Sequence, residues 1–121
     1  MNGKECRTIR VLNREIRIHI LDTGRGINVL IEGGDLGHIG AVAAAGAGRE
    51  LTLVSFPGHR EDVICRQWAE KISAVYPGPV VIEAGVHYDG ISRGEIQEIL
   101  EALGKELDTL VRMIESGEWK K

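Results

Sequence analysis

The chain has little that would tie it to a nucleic acid, a membrane or an oxidising compartment. Lysine and arginine number 15 against 18 aspartates and glutamates, a net charge of −3. No basic surplus is present to neutralise a phosphate backbone, which argues against a nucleic-acid partner. No run approaches the roughly 18 consecutive apolar residues of a membrane-crossing helix, and the opening Met1-Asn2-Gly3-Lys4-Glu5 leads into no apolar stretch like that of a signal peptide. Only two cysteines occur, Cys6 and Cys65, far apart and in no metal-ligand spacing, so a reduced, cytoplasmic protein is expected. Aromatic residues make up 4% of the chain. A ring beside a loop, such as Tyr88 or Phe56, therefore reads first as a local plug and only second as a platform for stacking a flat ligand. What is present is ordinary for one soluble domain spanning residues 1–121, with 43% hydrophobic residues, enough for a core without disulfides or metal. The 16 glycines show no three-residue period, which excludes a collagen-like chain.

Residues 7–22 alternate with period two: Ile9, Val11, Ile16, Ile18 and Ile20 on one side, Arg17 and His19 on the other. This predicts two half-buried strands around a turn at Asn13-Arg14. A turn at 23–26 and a third strand at 27–31 complete an antiparallel meander. Residues 41–45, mostly alanine, favour helix by propensity. Gly40 and Gly46 leave too little length for a stable helix, so a strand is expected there. Residues 51–56 read as a strand packed on both faces and stopped by Pro57-Gly58. The spacing of Ile64, Trp68, Ile72 and Val75 predicts a helix over 59–75, with Glu61 and Asp62 complementing its dipole. A short strand at 80–84 follows, making a βαβ unit of 51–56, the helix and 80–84. The last helix opens on a Ser92/Glu95 capping box, and its apolar face runs Ile96, Leu100, Leu103, Leu107, Leu110, Ile114. That stripe predicts a helix lying across one face of the sheet; a seam for self-association, giving a homo-oligomer, is the alternative. The fold class expected is α/β (α+β): a mixed β-sheet from an antiparallel meander plus a βαβ unit, with two main helices, the C-terminal one long.

Three histidines are flanked by glycines at strand edges or loops: His38 in Gly37-His38-Ile39-Gly40, His59 in Pro57-Gly58-His59-Arg60, and His87 in Gly85-Val86-His87-Tyr88-Asp89-Gly90. Ends of strands are where ligands commonly bind, and these histidines are expected to share one concave face. Convergence with Asp35 or Asp89 would make a metal site, but no spacing matches a ligand motif, and no metal is assigned. The glycine loop Gly33-Gly34-Asp35-Leu36-Gly37 lacks the lysine and Ser/Thr of a phosphate-binding P-loop. A better anion site is the start of the helix near Gly58, where free N–H groups, His59 and Arg60 could face a phosphate. Asp35, Glu83 and Asp89 show no spacing that fixes two carboxylates on one face for acid–base work.

Three segments in order, Gly33-Gly34-Asp35 followed by His38-Ile39-Gly40-Ala41-Val42-Ala43, then Pro57-Gly58-His59-Arg60-Glu61-Asp62, then Ala84-Gly85-Val86-His87-Tyr88-Asp89-Gly90-Ile91 leading into Glu95-Ile96, resemble the LpdD-like family of prenylated-flavin chaperones. These are accessory proteins of UbiD-type decarboxylases such as gallate decarboxylase. The chain departs from that pattern at Leu36-Gly37, where a proline is expected before the histidine. The resemblance implies a non-catalytic protein that carries prenylated FMN, or FMN, as bound cargo and supports a UbiD-type decarboxylase subunit. Site residues implied or marked by position are Gly34, Asp35, His38, Gly40, Gly58, His59, Arg60, His87, Tyr88 and Asp89. Two other readings remain open: a small histidine-site enzyme, with or without metal, and a structural assembly module built on the last helix.

Overall fold

The computed structural model describes residues 3–57 and 61–118. Its elements in chain order are β1 (Gly3–Val11), β2 (Arg14–Asp22), β3 (Ile27–Gly34), β4 (Leu36–Gly46), β5 (Arg49–Ser55), α1 (Asp62–Ser73), β6 (Val80–His87) and α2 (Arg93–Ser116). The strands form one six-stranded sheet in the order β1-β2-β3-β6-β4-β5. Only β3 and β6 are parallel neighbours; every other pairing is antiparallel.

The meander follows from the alternation. Ile16, Ile18 and Ile20 of β2 and Val29 and Ile31 of β3 are buried on one face, while Arg17 and His19 lie on the other. The β1–β2 turn sits one residue earlier than the sequence suggests. Val11 pairs with Arg14, and the two linking residues Leu12 and Asn13 have φ of 53° and 64°, the left-handed pair that matches the twist of a tight hairpin.

The alanine-rich segment is a strand, and its small side chains have a packing role. Ala41 and Ala43 are fully buried beneath α1, which comes so close that the Cys65 thiol donates to the Ala41 carbonyl at 3.4 Å. Burial pushes the Cys65 thiol up to about 12, so this cysteine is a packing residue and not a nucleophile. β5 is an edge strand, with only Leu51 and Leu53 half-buried, so the expectation of packing on both faces fails there. The connection β5–α1–β6 joins strands that run the same way, but it passes over β4, and the parallel partner of β6 is β3. α1 begins at Asp62, later than expected, with Glu61 as its N-cap residue.

α2 carries the expected capping box, Glu95 N–H to Ser92 Oγ at 3.2 Å and Ser92 N–H to Glu95 Oε1 at 2.9 Å, and ends on left-handed Gly117. Its buried row is Ile99, Leu103, Leu107 and Leu110. Ile96 is exposed, and Leu100 and Ile114 are only half-buried, so the core stripe is turned relative to the one read from spacing. The leucines pack in the chain's own core, and Arg7 Nε to Glu106 Oε1 at 2.9 Å ties the helix to β1. Among the described residues no helix is long and apolar enough to cross a membrane.

Candidate functional site

The carboxyl end of β6 is crossed by the chain itself. Gly34 at the end of β3 and Leu36 at the start of β4 both pair with His87, from opposite sides of β6. The single residue between them, Asp35, donates its N–H to the His87 carbonyl at 2.7 Å. So short a crossing leaves no room for a side chain at Gly34, whose φ is 81° and where a Cβ would stand against the His87 carbonyl oxygen and 2.8 Å from the Tyr88 ring. The glycine segment is therefore a strand crossing, and the Asp35 N–H is already used.

One step down β4, three residues, His38, Ile39 and Gly40, oppose the single residue Gly85 between the pairs Gly37–Val86 and Ala41–Ala84. Bulges of this kind re-aim a side chain. Here His38 reaches the start of α1, with Nε2 2.9 Å from Glu61 Oε1. Its ring stands edge-on to that of His87, centroids 6.4 Å apart at 71°, and His87 Nε2 is 2.8 Å from Asp89 Oδ1. Gly40 is buried behind the bulge, its carbonyl accepting the Phe56 N–H at 2.8 Å.

A second layer of bonds fixes the loop after β6. Asp35 Oδ2 accepts the Asp89 N–H at 2.8 Å and Oδ1 accepts Arg14 Nε at 2.9 Å. The Asp89 N–H and the Arg14 guanidinium hold the Asp35 carboxyl below the usual aspartate range. Arg14 also lies over the Tyr88 ring, 5.5 Å from its centroid. The Tyr88 hydroxyl donates to the Val11 carbonyl at 2.8 Å in a buried contact. Tyr88 is a wedge held at both ends, and burial raises its pKa.

Next to this network, between the starts of α1 and α2, lies a cavity of about 360 Å³ that His87 and Tyr88 help to line. Its walls are apolar, from Val63, Ile64, Val86, Ile91, Ile96, Ile99 and Leu100, with Glu61, His87 and Tyr88 as its polar members. Glu61 is 7% exposed, and its Oε2 is buried without a hydrogen-bond partner among the described residues. The structure thus gathers Gly34, Asp35, His38, His87, Tyr88 and Asp89 at one end of the sheet. Gly58, His59 and Arg60 lie outside the described residues. The sequence points to Glu61 through the helix dipole and the segment of the family resemblance and to Arg14 through a turn, and marks neither of them, nor the isoleucine wall, as part of a site. An apolar surplus on α2, with Ile96 and Ile99 on adjacent rows, was the available signal for the wall. Among the described residues, no group of three or more His, Cys, Asp or Glu is placed to hold a metal ion.

The other face of the sheet carries His19 as a surface partner, Nε2 2.9 Å from Glu32 Oε2, with Arg17 on the same carboxylate at 2.7 Å. Cys6, exposed, pairs across the strands with His19.

Comparison with known proteins places the chain. No curated protein matches it. In fold it is similar to a chain from the structure described as a novel chaperone complex for yeast 20S proteasome assembly, with a TM-score of 0.58 at 11% identity over 93% of this chain and 97% of that one. At that identity the likeness is one of fold. The family model described as the prenylated flavin chaperone LpdD-like domain matches residues 11–115. With most of its length matched, from the β1–β2 turn to the last turns of α2, the chain belongs to the prenylated flavin chaperone LpdD-like family.

Proposed function

We propose that this protein carries prenylated FMN, without transforming it, and delivers it to a UbiD-type decarboxylase. The observation that carries this reading is the apolar cavity at the carboxyl end of β6, walled by Ile64, Val86, Ile91, Ile96, Ile99 and Leu100 and lined also by Glu61, whose Oε2 is buried and unpartnered among the described residues. Its volume lies in the range of small-molecule sites. An apolar cavity with few polar groups suits a flat ring system enlarged by an isoprenoid-derived ring. His87 and Tyr88 line the cavity, His38 and Asp89 hydrogen-bond to its lining residues Glu61 and His87, and Gly34, Asp35 and Gly40 are proposed to shape the backbone around it. Arg60, with Gly58 and His59, is the proposed phosphate anchor on the chain leading into α1. Replacing Arg60 with alanine is then expected to weaken FMN more than riboflavin.

The partner side of the proposal rests on the rim. Leu36, Ile39, Phe56, Val63 and Ile96 are large apolar residues between 44% and 63% exposed. They come from the start of β4, the chain after β5, and the starts of α1 and α2, all at the end of the sheet that holds the cavity. Exposed apolar groups gathered in this way mark protein contact sites. A carrier needs its acceptor docked at the mouth so that an apolar cargo moves without crossing water.

The test is co-production with a UbiD-type decarboxylase. The expected result is a larger cofactor-loaded fraction of the decarboxylase, with no decarboxylation of aromatic acids by the isolated chain. Turnover by the isolated protein, lost on His87→Ala or Asp89→Ala, would instead favour a small histidine-site enzyme.

A further inference from the structure

The polar inventory of the cavity is lopsided. Its walls are aliphatic, yet the acidic Glu61, at the start of α1, is among the residues that line it. One oxygen, Oε1, is held by His38 Nε2 at 2.9 Å. The other, Oε2, is buried and has no hydrogen-bond partner among the described residues, and the Glu61 side chain makes no capping bond to its own helix. A buried acceptor left without a donor is unfavourable, and native proteins retain such a group chiefly where a ligand or ordered water completes it. The bulge opposite Gly85 supports the same conclusion. Its geometry delivers His38 to Oε1, fixing the carboxylate in one orientation so that Oε2 is the oxygen left for an incoming group.

We propose that Glu61 Oε2 accepts a hydrogen bond from a ring N–H of a planar, mostly apolar heterocycle, and so sets which edge of the ligand enters the cavity. This rests on the flavin-carrier reading, in which the donor is the N3–H of the pyrimidine edge of the flavin. The remaining walls then enclose the apolar part of the ring system, and the ribityl phosphate stays at the mouth. Glu61 acts as a specificity residue: a ligand of the same shape whose only donor is blocked leaves Oε2 buried and unpaired.

The test uses the full chain and prenylated FMN labelled with nitrogen-15 at N3. Binding is followed by flavin fluorescence and the N3–H group by proton–nitrogen correlation spectra. In the wild type the N3–H signal is expected to shift downfield and exchange slowly with water. Glu61→Gln, whose amide oxygen still accepts, should keep a weaker version of that signal. Glu61→Met should lose the signal and bind about 10- to 100-fold more weakly. Bound flavin with a freely exchanging N3–H in the wild type would overturn the assignment of Glu61 while leaving the carrier reading intact. Absence of fluorescence change on adding prenylated FMN would overturn the carrier reading itself, and this inference with it. The wild-type spectrum decides the matter even if the methionine variant does not fold.

Discussion

The carbonyl of His38 occupies the space in which a Cβ on Gly85 would stand. The two residues face each other across β4 and β6, and the contact exists because β4 carries three residues where β6 has one. A side chain at Gly85 therefore cannot be added without moving the bulge that presents His38 to Glu61. Gly85→Ala is expected to destabilise the fold by about 1–3 kcal/mol, the usual consequence of overpacking a tight site. It should also weaken flavin retention beyond what the stability change explains. Urea denaturation and fluorescence titration of the same preparation check both parts.

The leucine row of α2 belongs to the core, with Leu103 and Leu107 essentially without exposure. Leu103→Ala removes methyl groups and leaves a cavity, and a loss of about 2–5 kcal/mol is expected by chemical denaturation. A loss below about half a kcal/mol would mean that this position faces solvent.

Stability at low pH should depend on Asp35. The Asp89 N–H and Arg14 favour its charged form in the folded protein, so the contribution is present above the ordinary aspartate pKa and is lost as pH falls through the lower folded value. Asp35→Asn should be less stable than the wild type near neutral pH, and the gap should narrow as pH falls from about 7 to about 3. Urea midpoints for the two proteins across that range measure the gap. A constant gap would mean that Asp35 titrates alike in the folded and unfolded chains.

Strand identities were legible because burial on one face imposes a period of two. Ile16, Ile18 and Ile20 could be read only one way, and Ser92 with Glu95 announced α2. The order of strands was not legible, since alternation states which side chains point inward and not which strand lies alongside. For the same reason β5 looked like the neighbour of β6, when β4 stands between them. The α2 stripe was read one row off because Leu103 and Leu107 belong to both candidate rows, and only the docking angle chooses between Ile96 and Ile99. The proximity of His38 and His87, with ring centroids 6.4 Å apart, was legible from their glycine-flanked positions. The contact of His38 with Glu61 was not, because it depends on a bulge in β4, and the residue count of a bulge has meaning only against the partner strand.

If the apolar rim docks the acceptor enzyme, charge placed on it should separate delivery from binding. Leu36→Lys combined with Ile39→Lys is expected to leave prenylated FMN affinity and the urea midpoint close to wild type, because both side chains are exposed. It should reduce the cofactor-loaded fraction of a co-produced decarboxylase severalfold. Unchanged loading would move the docking surface away from this end of the sheet.

The central claim, that the chain is a carrier of prenylated FMN, is tested most directly by adding prenylated FMN to the purified protein without oxygen. The measurement is flavin fluorescence against protein concentration, followed by size-exclusion chromatography of the mixture. The account predicts saturable binding at one flavin per chain, tighter than for FMN, with the flavin eluting with the protein. Prenylated FMN that elutes entirely as free flavin, with no change in fluorescence at any protein concentration, would contradict it.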